Sequence, residues 1–235
     1  MSIDLKLPKI ISFMNVDFEL PKLYYGIALD IDETLSLTVK YWVTEMQKIF
    51  GNPENLSVDA MIAKYRYTQN VPYWQSEEVL SWTEQQRNSN DLQTKLPLIP
   101  GADVYVRKLD NFFPIAAYIS IRPDIVMSGT QQWLDEHSFP KAPLICRPKG
   151  ISVEQGSEWK ARVLEELYPQ VEGIIDDNSS IIKFLKKDYR GVIFLFNQSK
   201  KIDSNIVNIP CGESIFCGDW SSTYDVLKKY FDDKL

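Results

Sequence analysis

At roughly 150 residues per domain, a chain of 235 residues implies one good-sized domain carrying an insertion, or two small ones sharing a boundary. Hydrophobic residues make up 44% and charged residues 25%, which excludes disordered, collagenous and disulfide-scaffold classes; folding at this size buries roughly 70–75% of the unfolded surface, so a core forms without staples. A net charge of −6 and a pI near 5.0 argue against a nucleic acid polymer gripped on a basic face, but not against small anions at one locally positive site.

The opening MSIDLKLPKI has no apolar stretch of signal-peptide length, and no run reaches the ~18 apolar residues of a membrane span, so no membrane partner is expected. IDLKL alternates like an edge strand, yet two prolines leave residues 1–22 unassigned. Residues 23–31 (LYYGIALDI) form a short apolar run closed by acids, the pattern of a central parallel strand buried on both faces. From Thr38 to about Pro100 no buried strand is legible. Helix-period stretches stand instead at 39–50, 57–67 and 77–87, separated by Asn-Pro and Val-Pro breakers. Residues 98–101 (LIPG) return the chain to a helix at 102–111. Further strands follow at 113–121, 142–146, 171–175 and 191–196. Helices are expected between and after them. One spans 123–136, with Pro123 in its first turn. Another opens at Gly156-Ser157, with Ser157 as N-cap. Two more cover 179–187 and 221–231. Strands alternating with helices imply an α/β core, a parallel sheet with right-handed crossovers, with a helical insertion directly after its first strand.

Residue counts remove many chemistries. The single histidine, His137, rules out a multi-histidine metal site, and its place at a helix end reads as structural. Cys146, Cys211 and Cys217 are odd in number and contain no CxxC, so they read as reduced thiols of a cytoplasmic protein. Neither GxSxG nor GxxxxGK[ST] occurs. The aromatics of the insertion, Tyr67 and Trp42 among them, read as its own core and not as a nucleobase clamp.

The acids concentrate where a parallel sheet places ligands, at the carboxyl ends of strands. Asp30 and Asp32 close the first strand, and Asp176-Asp177 follow VEGII. So many like charges in one crevice call for a hard cation, and an oxygen-only set favours Mg²⁺. Close carboxylates also divide labour, one ionised and nucleophilic, one protonated and acidic. Ser120 ends the second apolar strand, and Arg122-Pro123 open the next helix, together an anion site suited to phosphate. Lys160 stands in the first turn of the helix before the Asp176-Asp177 strand; Lys149, in the RPKG loop, is its rival.

In that order these motifs resemble the haloacid dehalogenase-like superfamily of phosphatases. The DxDxT motif stands as Asp30-Ile31-Asp32-Glu33-Thr34, the strand ending in Ser or Thr at Ser120, the helix-start lysine at Lys160 and the acidic pair at Asp176-Asp177. The resemblance covers about residues 23–178. It implies a Rossmann-like parallel-sheet core of residues 1–37 and 101–235, with a helical C1-type cap at 38–100. It further implies that Asp30 attacks phosphorus and forms an aspartyl-phosphate, while Asp32 protonates the leaving oxygen and then activates water. Mg²⁺ would be held by Asp30, the Asp32 carbonyl and Asp176, with Asp177 ligating directly or through water. Ser120 and Lys160 would meet the phosphoryl oxygens; Arg122 is added as a phosphate-binding residue from its own place at the helix start, not from the family. The expected activity is hydrolysis of a small phosphorylated metabolite, with nucleoside monophosphates and sugar phosphates both open. A phosphomutase on the same fold, or a non-catalytic phosphate-ligand binder, are the alternatives. Asp32 speaks against a dehalogenase.

Overall fold

The computed structural model describes residues 9–197 and 213–233. IDLKL and Cys211 lie outside the described residues. The first element is a hairpin of β1 (Lys9–Phe13) and β2 (Val16–Leu20), paired antiparallel. Met14 and Asn15 both take positive φ, 49° and 64°, as a two-residue hairpin turn of right-handed twist requires. Ile11, Phe13 and Leu20 bury against Trp159 and its neighbours, so residues 9–20 form a flap on one face of the core.

The main sheet consists of β3 (Gly26–Leu29), β4 (Ile115–Pro123), β5 (Leu144–Arg147), β6 (Val171–Asp176), β7 (Val192–Leu195) and β8 (Glu213–Phe216). All its pairings are parallel, in the order β5-β4-β3-β6-β7-β8. β3 and β7 are buried along their whole length, as expected of parallel strands covered on both faces. Alternation sorts the side chains into two layers. Ala28 and Ile174 face one layer, while Ile27, Leu29 and Ile175 face the other. Gly173 is required by close approach: a Cβ there would stand 2.0 Å from the Val192 carbonyl oxygen.

The insertion carries α1 (Thr38–Phe50), α2 (Val58–Tyr65), α3 (Glu77–Arg87) and the short α4 (Asn90–Thr94). Ser57, Ser76 and Ser89 cap the last three, each accepting a backbone N–H three residues on. Val43, Met46, Met61, Val71, Trp74 and Val79 form a hydrophobic cluster separate from the two beside the sheet. α4 does not join it. Leu92 packs with the core, and the Asn90 side chain bonds Ser128 and the Gly129 N–H. α5 (Ala102–Phe112), α6 (Met127–Glu136) and α8 (Trp220–Asp232) cover one face of the sheet, and α7 (Gly156–Leu167) covers the other.

Three local expectations change. Pro123 ends β4 instead of opening a helix, and a 3₁₀ turn at Asp124–Val126 precedes α6. The helix expected at 179–187 is a 3₁₀ helix at Ser179–Phe184, capped by Asn178. Ser157 lies inside α7, whose N-cap is Gln155, and its hydroxyl meets that of Ser180 instead. In each case a long-range contact or the strand register outweighs the local signal.

Candidate active site

Once the hairpin is set aside, the sheet order is that of a doubly wound fold, and its direction of growth reverses between β3 and β6. That reversal opens a crevice beyond the strands' carboxyl ends, and β3 and β6 lead straight into Asp30 and Asp176. Pairing continues to the edge of the crevice, where the Asp30 N–H donates to the Ile175 carbonyl at 2.9 Å.

Asp30 is 5% exposed and Asp176 1%. Lys160, the fifth residue of α7 and thus one turn further in than expected, is 2% exposed and reaches both carboxylates: Nζ donates to Asp30 Oδ1 at 2.5 Å and to Asp176 Oδ2 at 2.8 Å. Oxygens of Asp30, Asp176 and Asp177 lie within 4.8 Å of one another. One ammonium therefore faces three carboxyl groups. Burial, with Asp176 and Asp32 adding to it and Lys160 offsetting it, raises the Asp30 carboxyl to about 7. Burial, then Asp176 and Asp30, raises Asp177 to about 9. Burial opposes the charge on Lys160, but Asp176 and Asp30 outweigh it and hold the ammonium above its ordinary value. Such an uncompensated, oxygen-only set suits a hard divalent cation.

On the other flank of β3 the charges balance. The Arg122 guanidinium grips Asp32, with Nη2 donating to Oδ1 at 2.7 Å and Nε to both oxygens at 3.1 Å. Thr38, the first residue of α1, donates to Asp32 Oδ1 at 2.6 Å, and Ser120 reaches Oδ2 at 3.4 Å. Burial would raise Asp32, but Arg122 overrides it and holds the carboxyl below its ordinary value. Arg122 also bonds Ser36 and Thr130. Arg122, expected to face phosphoryl oxygens, thus stands bound to an acid of the site. Its main-chain N–H donates to the Ser120 hydroxyl at 3.2 Å.

Lys149 is exposed, its main-chain N–H donates to Asp124, and it lines none of the three cavities over the site. His137 ends α6, with Nδ1 against the Trp133 carbonyl. Cys146 and Cys217 are buried and free, and burial pushes both thiols up to about 12.

Sequence reasoning assigned no role to Thr34, Thr38 or Glu33. Thr34 donates to Asp30 Oδ2 at 3.3 Å and accepts the Asp177 N–H at 3.2 Å, tying the two acidic loops together. The T of DxDxT was its signal. Glu33 takes a left-handed φ of 57°, and its carboxylate accepts the Val39 N–H at 2.6 Å. It caps α1 from outside, since Leu37 at the N-cap offers no side-chain oxygen. No local pattern marks such a cap.

Three openings meet here. A cavity of about 180 Å³ lies over Asp30, Lys160 and Asp176; one of about 210 Å³ adjoins it beside Asp32 and Arg122; one of about 400 Å³ lies beyond Glu33 and Asp177. No family profile matches the sequence, and no curated protein matches it. Solved structures do. A beta-phosphoglucomutase candidate from Thermotoga maritima aligns with TM-score 0.53 and 14% identity, over 87% of this chain and 99% of that one. The chain has the haloacid dehalogenase-like fold. A HAD family hydrolase from Deinococcus radiodurans R1, solved with phosphate and sodium, aligns at TM-score 0.46 and 13% identity over 89% of this chain and 96% of its own. A phosphoserine phosphatase from T. onnurineus follows at 0.42 and 13%, over 87% and 95%. On this haloacid dehalogenase-like sheet Asp30, Asp32, Ser120 and Asp176 stand at neighbouring strand ends, and Lys160 reaches their crevice from α7. Among the described residues no helix is long and apolar enough to cross a membrane.

Proposed function

We propose that the protein is a Mg²⁺-dependent phosphohydrolase of small phosphorylated metabolites, working through an aspartyl-phosphate on Asp30. The observation that carries this reading is the convergence of Asp30, Asp176 and Asp177 at the sheet's switch point with Lys160 bonded between two of them. The donor set fits Mg²⁺, which Asp30, the Asp32 carbonyl, Asp176 and Asp177 would hold. When bound, the ion neutralises phosphoryl charge as a Lewis acid.

An Asp30 oxygen attacks phosphorus, the ester P–O bond breaks, and the leaving oxygen takes its proton from Asp32. Asp32 then accepts a proton from water, whose oxygen displaces Asp30 and releases phosphate. Lys160 and the Ser120 hydroxyl hold phosphoryl oxygens, since phosphoryl transfer depends mostly on positioning and charge neutralisation. An incoming phosphoryl dianion also competes with Asp32 for Arg122, which frees the carboxyl to carry the proton it must donate. The insertion acts as the cap that excludes water over this crevice. Buried, unpaired Cys146 and Cys217 support a cytoplasmic setting.

The test is phosphate release from an aryl phosphate, with Mg²⁺ or EDTA, for wild type and Asp30→Asn. Release that requires both Mg²⁺ and Asp30 is expected. Release that survives Asp30→Asn overturns the mechanism. A strict requirement for a bisphosphate activator, with little net release, moves the assignment to a mutase.

A further inference from the structure

The hydrolase reading underlies a narrower inference about the substrate. An acid protonates only an oxygen within hydrogen-bond reach. Asp32 lines the 180 Å³ cavity and the 210 Å³ cavity, but not the 400 Å³ one. With phosphorus over Asp30, the leaving group therefore extends into the 210 Å³ cavity. That volume falls below the roughly 300–1,000 Å³ of sites for drug-sized ligands, so it suits a short leaving group better than a nucleoside.

Its walls are part apolar, from Trp42, Ile121 and Val153, and part polar, from Thr68, Gln69 and Gln93. Two guanidiniums line it. Arg122 is paired with Asp32 and, on the hydrolase reading, turns to the phosphoryl group. Arg87, the last residue of α3, bonds Glu84 on its own helix at 3.1 Å, and both side chains are well exposed. Such a pair yields readily to a better-matched acceptor. Arg87 also stands near Arg147, which is held below its ordinary value first by burial and then by the charge of Arg87, with Asp124, Glu154 and Glu84 opposing. Arg87 is thus the guanidinium of this cavity that is not paired with Asp32, and a guanidinium fork matches a carboxylate with two parallel bonds.

We propose that this cavity is the leaving-group subsite for a short phosphorylated hydroxy acid, whose carboxylate is bound by Arg87. Arg87 is then the specificity-determining residue.

The experiment compares phosphoglycolate, ethyl phosphate and 1,3-propanediol bisphosphate. Calorimetry on Mg²⁺-supplemented Asp30→Asn reads binding independently of turnover; wild type reads kcat and KM. Phosphoglycolate is expected to bind roughly 10- to 100-fold tighter than ethyl phosphate, as one charge-assisted contact allows. Arg87→Ala should erase that preference through KM with kcat nearly unchanged, and Arg87→Lys should restore part of it. Equal binding of the two monophosphates, a preference that survives Arg87→Ala, or tighter binding of the bisphosphate each overturns the subsite. Asp30-dependent release without carboxylate preference sinks this inference and leaves the hydrolase standing. Carboxylate-selective, Arg87-dependent binding without Asp30-dependent release sinks the hydrolase and the leaving-group role, and leaves Arg87 as a carboxylate site.

Discussion

The two flanks of β3 hold their acids in opposite ways. Toward β6, three carboxyl groups share one ammonium, and two of them are raised to about 7 and about 9. Toward β4, Asp32 meets Arg122 charge for charge and is held below its ordinary value. Two residues apart in sequence, Asp30 and Asp32 therefore belong to different electrostatic regions. The first region lacks a positive charge and is built to receive one. The second is already neutral, and its guanidinium must be shared before its acid is free to work.

The sharpest way to break this contrast is Lys160→Met. It leaves Asp30 and Asp176 buried with no cation, and losing one partner of a buried pair costs about 3–5 kcal/mol. Urea unfolding in EDTA should show that loss, and Mg²⁺ should recover part of it by binding the folded state. If the variant is as stable as wild type without Mg²⁺, the β6 flank is not short of positive charge. Arg122→Ala should cost less, about 1–3 kcal/mol, because the Asp32 side chain is one-third exposed, and Mg²⁺ should restore little of it. Equal rescue of both variants would erase the distinction between the flanks.

Glu33 lines the cavity over both flanks, and its two substitutions separate strain from contact. Glu33→Ala keeps the left-handed backbone and loses the bond to the Val39 N–H, at about 1 kcal/mol. Glu33→Gly loses the same bond but relieves a strain of about 1 kcal/mol. Thermal melts should place the Gly variant near wild type and above the Ala variant; the reverse order would show that residue 33 is not strained. The smallest effect is expected from Lys149→Ala. This side chain is exposed and outside the crevice, so neither stability nor phosphate release should change measurably. A large loss of release would return Lys149 to the site.

Five of the six core strands were legible as apolar runs, clearest where burial on both faces leaves the run uninterrupted, as in GIAL and VIFL; the edge strand β8, exposed or half-buried along its length, has no such run. The insertion was legible by the absence of any such run. The hairpin at residues 9–20 was not assigned, although VDFEL alternates apolar and polar residues as a half-buried strand does; its partner surface comes from α7, far along the chain. The limits of the insertion's cluster were equally hidden. α4 has the serine cap of its neighbours, yet Asn90 bonds α6 and Leu92 packs in the core.

The acids at two strand ends, the lone histidine and the order of four motifs were matters of composition and spacing, and they needed no coordinates. Which acid meets which cation depended on the third dimension. Lys160 lies 130 positions from Asp30, and Arg122 lies 90 from Asp32. Only the crossing of β3, β4 and β6 in one sheet brings these charges within a few ångströms, where low polarisability makes their balance decisive. Sequence determined the chemistry present; packing determined how its charges were paired.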